Sequence, residues 1–232
     1  MDKQITRRDS LSLSQISHEL RTPVTLINSY LQLFCSSHPE VKTFPYWKDI
    51  MENMELLKEL LGALSQYNRS EQLQRQPLAL DQLASSLLLS MEPVFRERRI
   101  QVHTCFQESL PPMAGDALKL RQIFFNLLNN AMDAMPQGGT VTLKLFCQGA
   151  RIHLTVADTG EGIPPEKLDS IFQPFVTSKK SGTGLGLPIV RRITEAHGGH
   201  VSAASPPGEG ACFHLTFPAL SAGTEESPAG TR

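Results

Sequence analysis

The segment Ser17-His18-Glu19-Leu20-Arg21-Thr22-Pro23 places an imidazole, a carboxylate and a hydroxyl within about one helical turn. A neutral imidazole carries a lone pair on one ring nitrogen, so His18 is a candidate nucleophile. A carboxylate that accepts the other ring N–H stabilises the cation formed on attack, and Glu19 is the candidate for that role. Thr22, at i+4, shares the helix face of His18. Pro23 cannot donate to the carbonyl of Glu19 and should bend the helix there. Singly, an exposed histidine reads as surface and a proline as a helix boundary; the set is more specific.

Three further segments suit phosphate and nucleotide chemistry. Asn126 and Asn130, in Asn126-Leu127-Leu128-Asn129-Asn130-Ala131, are four apart and project from one helix face. Buried amides on an otherwise apolar helix need partners. A nucleotide phosphate with its hydrated Mg²⁺ would serve, and so would core hydrogen bonds or a cap. In Asp158-Thr159-Gly160-Glu161-Gly162-Ile163, which follows a strand, Asp158 can accept from an adenine amino group. Gly160 and Gly162 let the backbone pass close to the base. Gly182-Thr183-Gly184-Leu185-Gly186-Leu187 opens a helix whose N–H groups and positive dipole end suit phosphate oxygens. No Lys-Ser/Thr pair follows it, so it is not a Walker A loop. Its place in the chain is also wrong for a dinucleotide-binding unit.

These residues require particular elements to hold them. Leu13, Ile16, Leu20, Val24, Ile27, Leu31 and Phe34 recur at steps of three and four, the stripe of a helix over 11–37. Trp47, Ile50, Met54, Leu57, Leu61 and Leu64 form a second stripe, which Pro77 closes off. His18 falls off the first stripe, so its ring should face solvent. Two such helices make a hairpin. Leu56 and Leu60 widen the second stripe beyond one partner helix, which favours a twofold four-helix bundle over a hairpin packed on its own C-terminal domain.

From Leu78 the pattern is mixed. Helices are expected over 80–99, from an Asp116 N-cap to Met135, and over 187–196. Strands are expected over 100–106, 140–147, 151–157, 201–204 and 212–217. Arg96, Arg98 and Arg99 read as a solvated helix end, with a phosphate or partner site as the alternative. The fold class is α+β, divided into a lead (1–9), a helical hairpin (10–74), an α/β sandwich (78–218) and a disordered tail (219–232).

Composition excludes some functions. The 232 residues carry 22 Lys plus Arg against 23 Asp plus Glu, a net charge of −1, which gives no support to nucleic-acid binding. Cys35, Cys105, Cys147 and Cys212 match no zinc spacing and read as free, buried thiols in a reducing compartment. No stretch supplies the ~20 apolar residues of a membrane helix, and no apolar region follows the N-terminal basic residues. The expected location is the cytoplasm, for the chain itself or for this part of something longer.

Together, the four segments resemble, in order, the phospho-acceptor box and the ATP-binding (Bergerat or GHKL) domain of sensor histidine kinases, over about Ser14 to Phe217. The short loop before the second glycine run looks most like the nitrogen-regulation type. The resemblance implies an ATP- and Mg²⁺-dependent homodimer that phosphorylates His18 on Nε2. Glu19 would orient the ring, and Thr22 would orient water in a phosphatase mode. The implied ATP site comprises Asn126, Asn130, Asp158, Gly160, Gly162, Phe175, Lys179, Gly182, Thr183, Gly184, Leu185 and Gly186, with Asn130 as metal ligand. Phe172 and Phe175 would anchor a lid over the nucleotide, and Lys179 and Lys180 would reach its phosphates. The implied partner is a response-regulator receiver domain.

Asp133 departs from the pattern, standing where many relatives carry a basic residue. Three rival readings fit the sequence less well. A chaperone-type ATPase would need a glutamate on the Asn helix, and none lies between Asp116 and Met135. A serine-kinase anti-sigma factor lacks the acceptor hairpin. A non-catalytic phosphotransfer scaffold or a pseudokinase would not bind nucleotide.

Overall fold

The computed structural model describes residues 2–179, 182–206 and 208–220, and for residues 2–16 and His18 the backbone only. The expected disordered tail falls almost wholly outside the described residues. The chain divides into two compact units, residues 1–71 with 172–189, and residues 72–171 with 190–232.

In the first unit α1 runs over Asp2–Ser37 and α2 over Trp47–Asn68, joined by a 3-10 turn at Pro39–Thr43 and a left-handed Tyr46. Helix α1 begins at Asp2, so residues 2–9, set apart in the sequence reading as a lead, are helical too. It also continues through Pro23. Antiparallel register is shown by Arg21 Nη2 donating to the Leu61 carbonyl at 3.5 Å and Asn68 Nδ2 donating to Ser17 Oγ at 3.3 Å. Val24 and Leu61 are buried, while Leu20, Ile27, Phe34, Ile50 and Leu57 of the two stripes stay exposed.

The second unit is a two-layer α/β sandwich. Its five strands are β2 (Ile100–Phe106), β4 (Gly139–Gln148), β5 (Arg151–Asp158), β6 (His200–Ala204) and β7 (Cys212–Pro218). They lie in the order β2-β4-β5-β7-β6, antiparallel throughout except that β2 and β4 are parallel. One sheet face is mainly apolar, with Val141, Leu143, Leu145, Ile152, Leu154, Val156, Phe213, Leu215 and Phe217 all buried, and Asp158 ends β5 on that same face. Helix α3 (Leu80–Glu97) buries Leu80, Leu83, Ala84, Leu87, Met91 and Phe95, and α4 (Ala117–Ala134) buries Leu120, Ile123, Phe124, Leu127, Leu128 and Ala131. These three- and four-residue steps are those of a helix covering a sheet.

A short ladder, β1 (Gln76–Leu78) against β3 (Met113–Gly115), was not anticipated. Helix α5 spans Gly186–Ala196. No helix among the described residues is long and apolar enough to cross a membrane. The four thiols are free, as expected, but none is buried: Cys105 is exposed and the others half-exposed.

Candidate functional site

Asp116 caps α4 as expected, one carboxylate oxygen accepting from Leu118 and Lys119 N–H at 3.0 and 3.2 Å. Its other oxygen accepts from Gln74 N–H at 2.8 Å. Burial pushes its pKa up, but the Gln74, Lys119 and Leu118 amides and the Lys119 charge outweigh that and hold it below the ordinary value. The Asp116 N–H donates to His197 Nε2 at 3.0 Å, and His197 Nδ1 meets the Ile193 carbonyl at 2.7 Å. Since a carbonyl only accepts, Nδ1 carries the proton and Nε2 the lone pair. Arg75 donates to the Ala196 carbonyl beside this histidine. Sequence reading missed the clamp because His197 and Asp116 are 81 positions apart.

Asn126 and Asn130 share a face of the helix that Asp116 caps. They are half-buried, not the fully buried amides expected, and each makes a polar interaction. Asp133 pairs with Arg98 at 3.4 Å, and Arg96 pairs with Glu92 at 2.9 Å. Two of the three arginines at this helix end, Arg96 and Arg98, are therefore matched by carboxylates.

Beyond the C-terminal end of α4 lies the loop after β5. Asp158 is only 6% exposed. Its Oδ1 accepts from Gly160 N–H at 2.9 Å and Ala211 N–H at 3.2 Å, and Oδ2 accepts nothing among the described residues. Burial raises the pKa of this carboxyl, and the two amides only partly offset it. Glu161 N–H donates to the Ala134 carbonyl at 3.2 Å, which ties this loop to α4.

The glycines here have internal reasons to be glycine, beyond the close approach to a base that was expected. A Cβ on Gly160 would sit 2.7 Å from the Ala134 carbonyl oxygen, and Gly162 has φ +77°. Ser205, also missed, buckles the loop by accepting from Ile163 N–H at 2.7 Å and donating to the Gly210 carbonyl at 2.6 Å.

The second glycine run lies in the other unit. Gly184 has φ +64°, and a Cβ there would lie 2.6 Å from the Phe175 backbone, whose N–H donates to the Gly184 carbonyl at 2.9 Å. Thr183 Oγ1 accepts from Leu185 N–H at 3.3 Å just ahead of α5, and Leu185 is buried. Phe175 itself is 57% exposed with φ +66°, so burial does not make it the anchor that was expected; Phe172 is half-buried. Gly182 N–H donates to the Lys179 carbonyl at 3.3 Å. Lys180 lies outside the described residues. In the hairpin, Glu19 is exposed and Thr22 is exposed on α1, while the side chain of His18 lies outside the described residues.

Two family models match the chain: a His Kinase A (phospho-acceptor) domain over residues 10–73, and a histidine kinase-, DNA gyrase B- and HSP90-like ATPase over residues 115–221. The adaptive-response sensory kinase SasA of Prochlorococcus marinus (strain MIT 9303) is 32% identical over 214 residues, 89% of this chain and 58% of that protein. Sporulation kinase A of Bacillus subtilis (strain 168) is 33% identical over 88% of this chain and 33% of its own length. The chain thus spans between about a third and three fifths of these relatives. Among solved structures, full-length ShkA in complex with AMPPNP superposes with a TM-score of 0.73 at 28% identity, covering 92% of this chain and 46% of that one. The mycobacterial sensor histidine kinase MprB gives 0.55 at 28% identity over 63% of this chain and 98% of that one.

Proposed function

The chain belongs to the sensor histidine kinases, and from that premise we propose that it transfers the γ-phosphoryl group of ATP to His18 and then to an aspartate of a response-regulator receiver domain, in the cytoplasm and as a homodimer. The observation that carries the nucleotide half of this reading is Asp158. It is a buried carboxylate pinned through one oxygen by two amides, on a loop tied to the helix that bears Asn126 and Asn130. In the proposed complex Asp158 accepts from the adenine amino group, and Gly160 and Gly162 border the base. Asn126 and the Gly182–Gly186 amides hold phosphate oxygens, with Lys179 near the terminal phosphate. Thr183 and Leu185 keep the start of α5 in shape, and Phe175 covers the nucleotide.

The amide face of α4 suits Mg²⁺, a hard ion that takes few protein oxygens when phosphates supply the rest. Asn130 would hold it, and Mg²⁺ would there neutralise phosphate charge. Within the transfer, His18 Nε2 attacks the γ-phosphorus and the bond to the β–γ bridging oxygen breaks, its electron pair leaving with ADP. Glu19 steadies the ring's other N–H. In a separate phosphatase mode, Thr22 positions a water that attacks the phosphorus of the partner's phospho-aspartate and releases inorganic phosphate.

Incubation with labelled ATP and Mg²⁺ should yield an acid-labile, base-stable phosphoprotein, and His18→Gln should lose it. Equal labelling of His18→Gln would remove His18 as acceptor.

A further inference from the structure

The outer face of the five-stranded sheet has no part in that reaction. Alternation along the strands puts Lys144, Phe146, Arg151, His153, Thr155, Thr216 and His214 there, with no Asp or Glu among the strand residues on this side. His153 of β5 and His214 of β7 meet on it, Nδ1 of the first 3.1 Å from Nε2 of the second. Each ring is steadied by a cross-strand neighbour. His153 stacks on its register partner Phe146, centroids 4.8 Å apart and planes within 7°. His214 Nδ1 lies 3.3 Å from Oγ1 of its register partner Thr155.

We propose that His153 and His214 form a binding site for a borderline divalent transition-metal ion such as Zn²⁺, separate from the Mg²⁺ of the nucleotide. Two imidazole nitrogens 3.1 Å apart subtend about 98° at an ion ~2.05 Å from each, between a right angle and the tetrahedral value. In the tautomer the site requires, Thr155 Oγ1 accepts the Nδ1–H of His214 and Nε2 keeps its lone pair for the ion, the outer-shell arrangement that metal-bound histidines use, and the ion takes the place of the proton in the ring-to-ring hydrogen bond. His153 then carries its proton on Nε2 and offers Nδ1. Imidazole donors without a carboxylate select Zn²⁺, Cu²⁺ or Ni²⁺ over Mg²⁺ and Ca²⁺. Among the described residues no third His, Cys, Asp or Glu completes a preformed group, so water fills the remaining positions and the ion is exchangeable.

The test is a calorimetric titration of the full, tag-free chain with Zn²⁺ in a non-chelating buffer containing excess Mg²⁺. One saturable Zn²⁺ site per chain is expected, lost in His214→Ala and in the pair H153A/H214A. Thr155→Val keeps both ligands and should weaken binding about tenfold. An isotherm unchanged in the double variant overturns the proposal, as does displacement of Zn²⁺ by Mg²⁺. Circular dichroism identifies any histidine variant that fails to fold, in which case Thr155→Val decides, an unchanged affinity counting against the site. The titration needs no ATP, so its failure and a failure of phosphotransfer are read separately.

Discussion

Asp158 is held at a cost, since folding takes its carboxylate out of water and raises its pKa. The native state therefore binds protons more readily than the unfolded chain, and this residue's contribution to stability falls as pH rises through its raised pKa. Asp158→Asn keeps an oxygen for Gly160 and Ala211 and removes the charge. We expect the nucleotide-free variant to melt no lower than wild type. ATP binding should weaken about 10- to 100-fold, the value of a hydrogen bond to a charged acceptor. Thermal shift with and without nucleotide measures both, and intact ATP affinity would remove Asp158 as the adenine reader. This residue was legible because its loop is contiguous in sequence. Phe175 was not: its exposure and left-handed backbone follow from the close approach of Gly184, and an aromatic letter reveals neither.

Among the elements, α4 carries the asparagines and depends on Asp116 at its start. Asp116→Ala removes the cap and the acceptor for Gln74, and should cost about 1–2 kcal/mol in urea unfolding. His197 gives the same region a pH dependence. Burial lowers its pKa below the ordinary imidazole value of 6.5, with Arg75 adding to that and the Ile193 carbonyl and Asp116 opposing. A depressed histidine pKa means that the unfolded chain binds more protons, so stability is full above 6.5 and declines as pH falls below it. Protonation of Nε2 would also set an N–H against the Asp116 N–H. His197→Gln can donate and accept in the same place, and should flatten the fall in melting temperature between neutral and mildly acid pH. An equal slope in both proteins would count against the clamp. The long helices were legible from their three- and four-residue stripes and the sheet strands from alternation. The ladder of β1 and β3 was not, because three residues, one a proline, are too few to show a period.

At the level of the molecule, the hairpin alone leaves Ile27, Phe34, Ile50 and Leu57 in water, an apolar surface of the kind that marks an interface. A second copy is the cover we expect. Ile27→Glu with Leu57→Glu would place charges in that cover and should convert dimer to monomer in sedimentation velocity, whereas a wild-type monomer would sink the four-helix bundle. The hairpin could be read from sequence because each of its two helices shows its own apolar stripe and a short loop joins them, although the contacts between them span 40 to 51 positions. The strand order could not, since alternation shows which face of a strand is apolar but not that β2 runs parallel beside β4. Helix α1, a 36-residue rod that passes through a proline, has a single link missing from its ladder, at the carbonyl of Glu19, the residue after His18. A lateral load on that rod would bend it most readily there, beside His18, the proposed acceptor. Pro23→Ala should stiffen that joint and uncouple distant mechanical input from output, while leaving the chemistry itself intact.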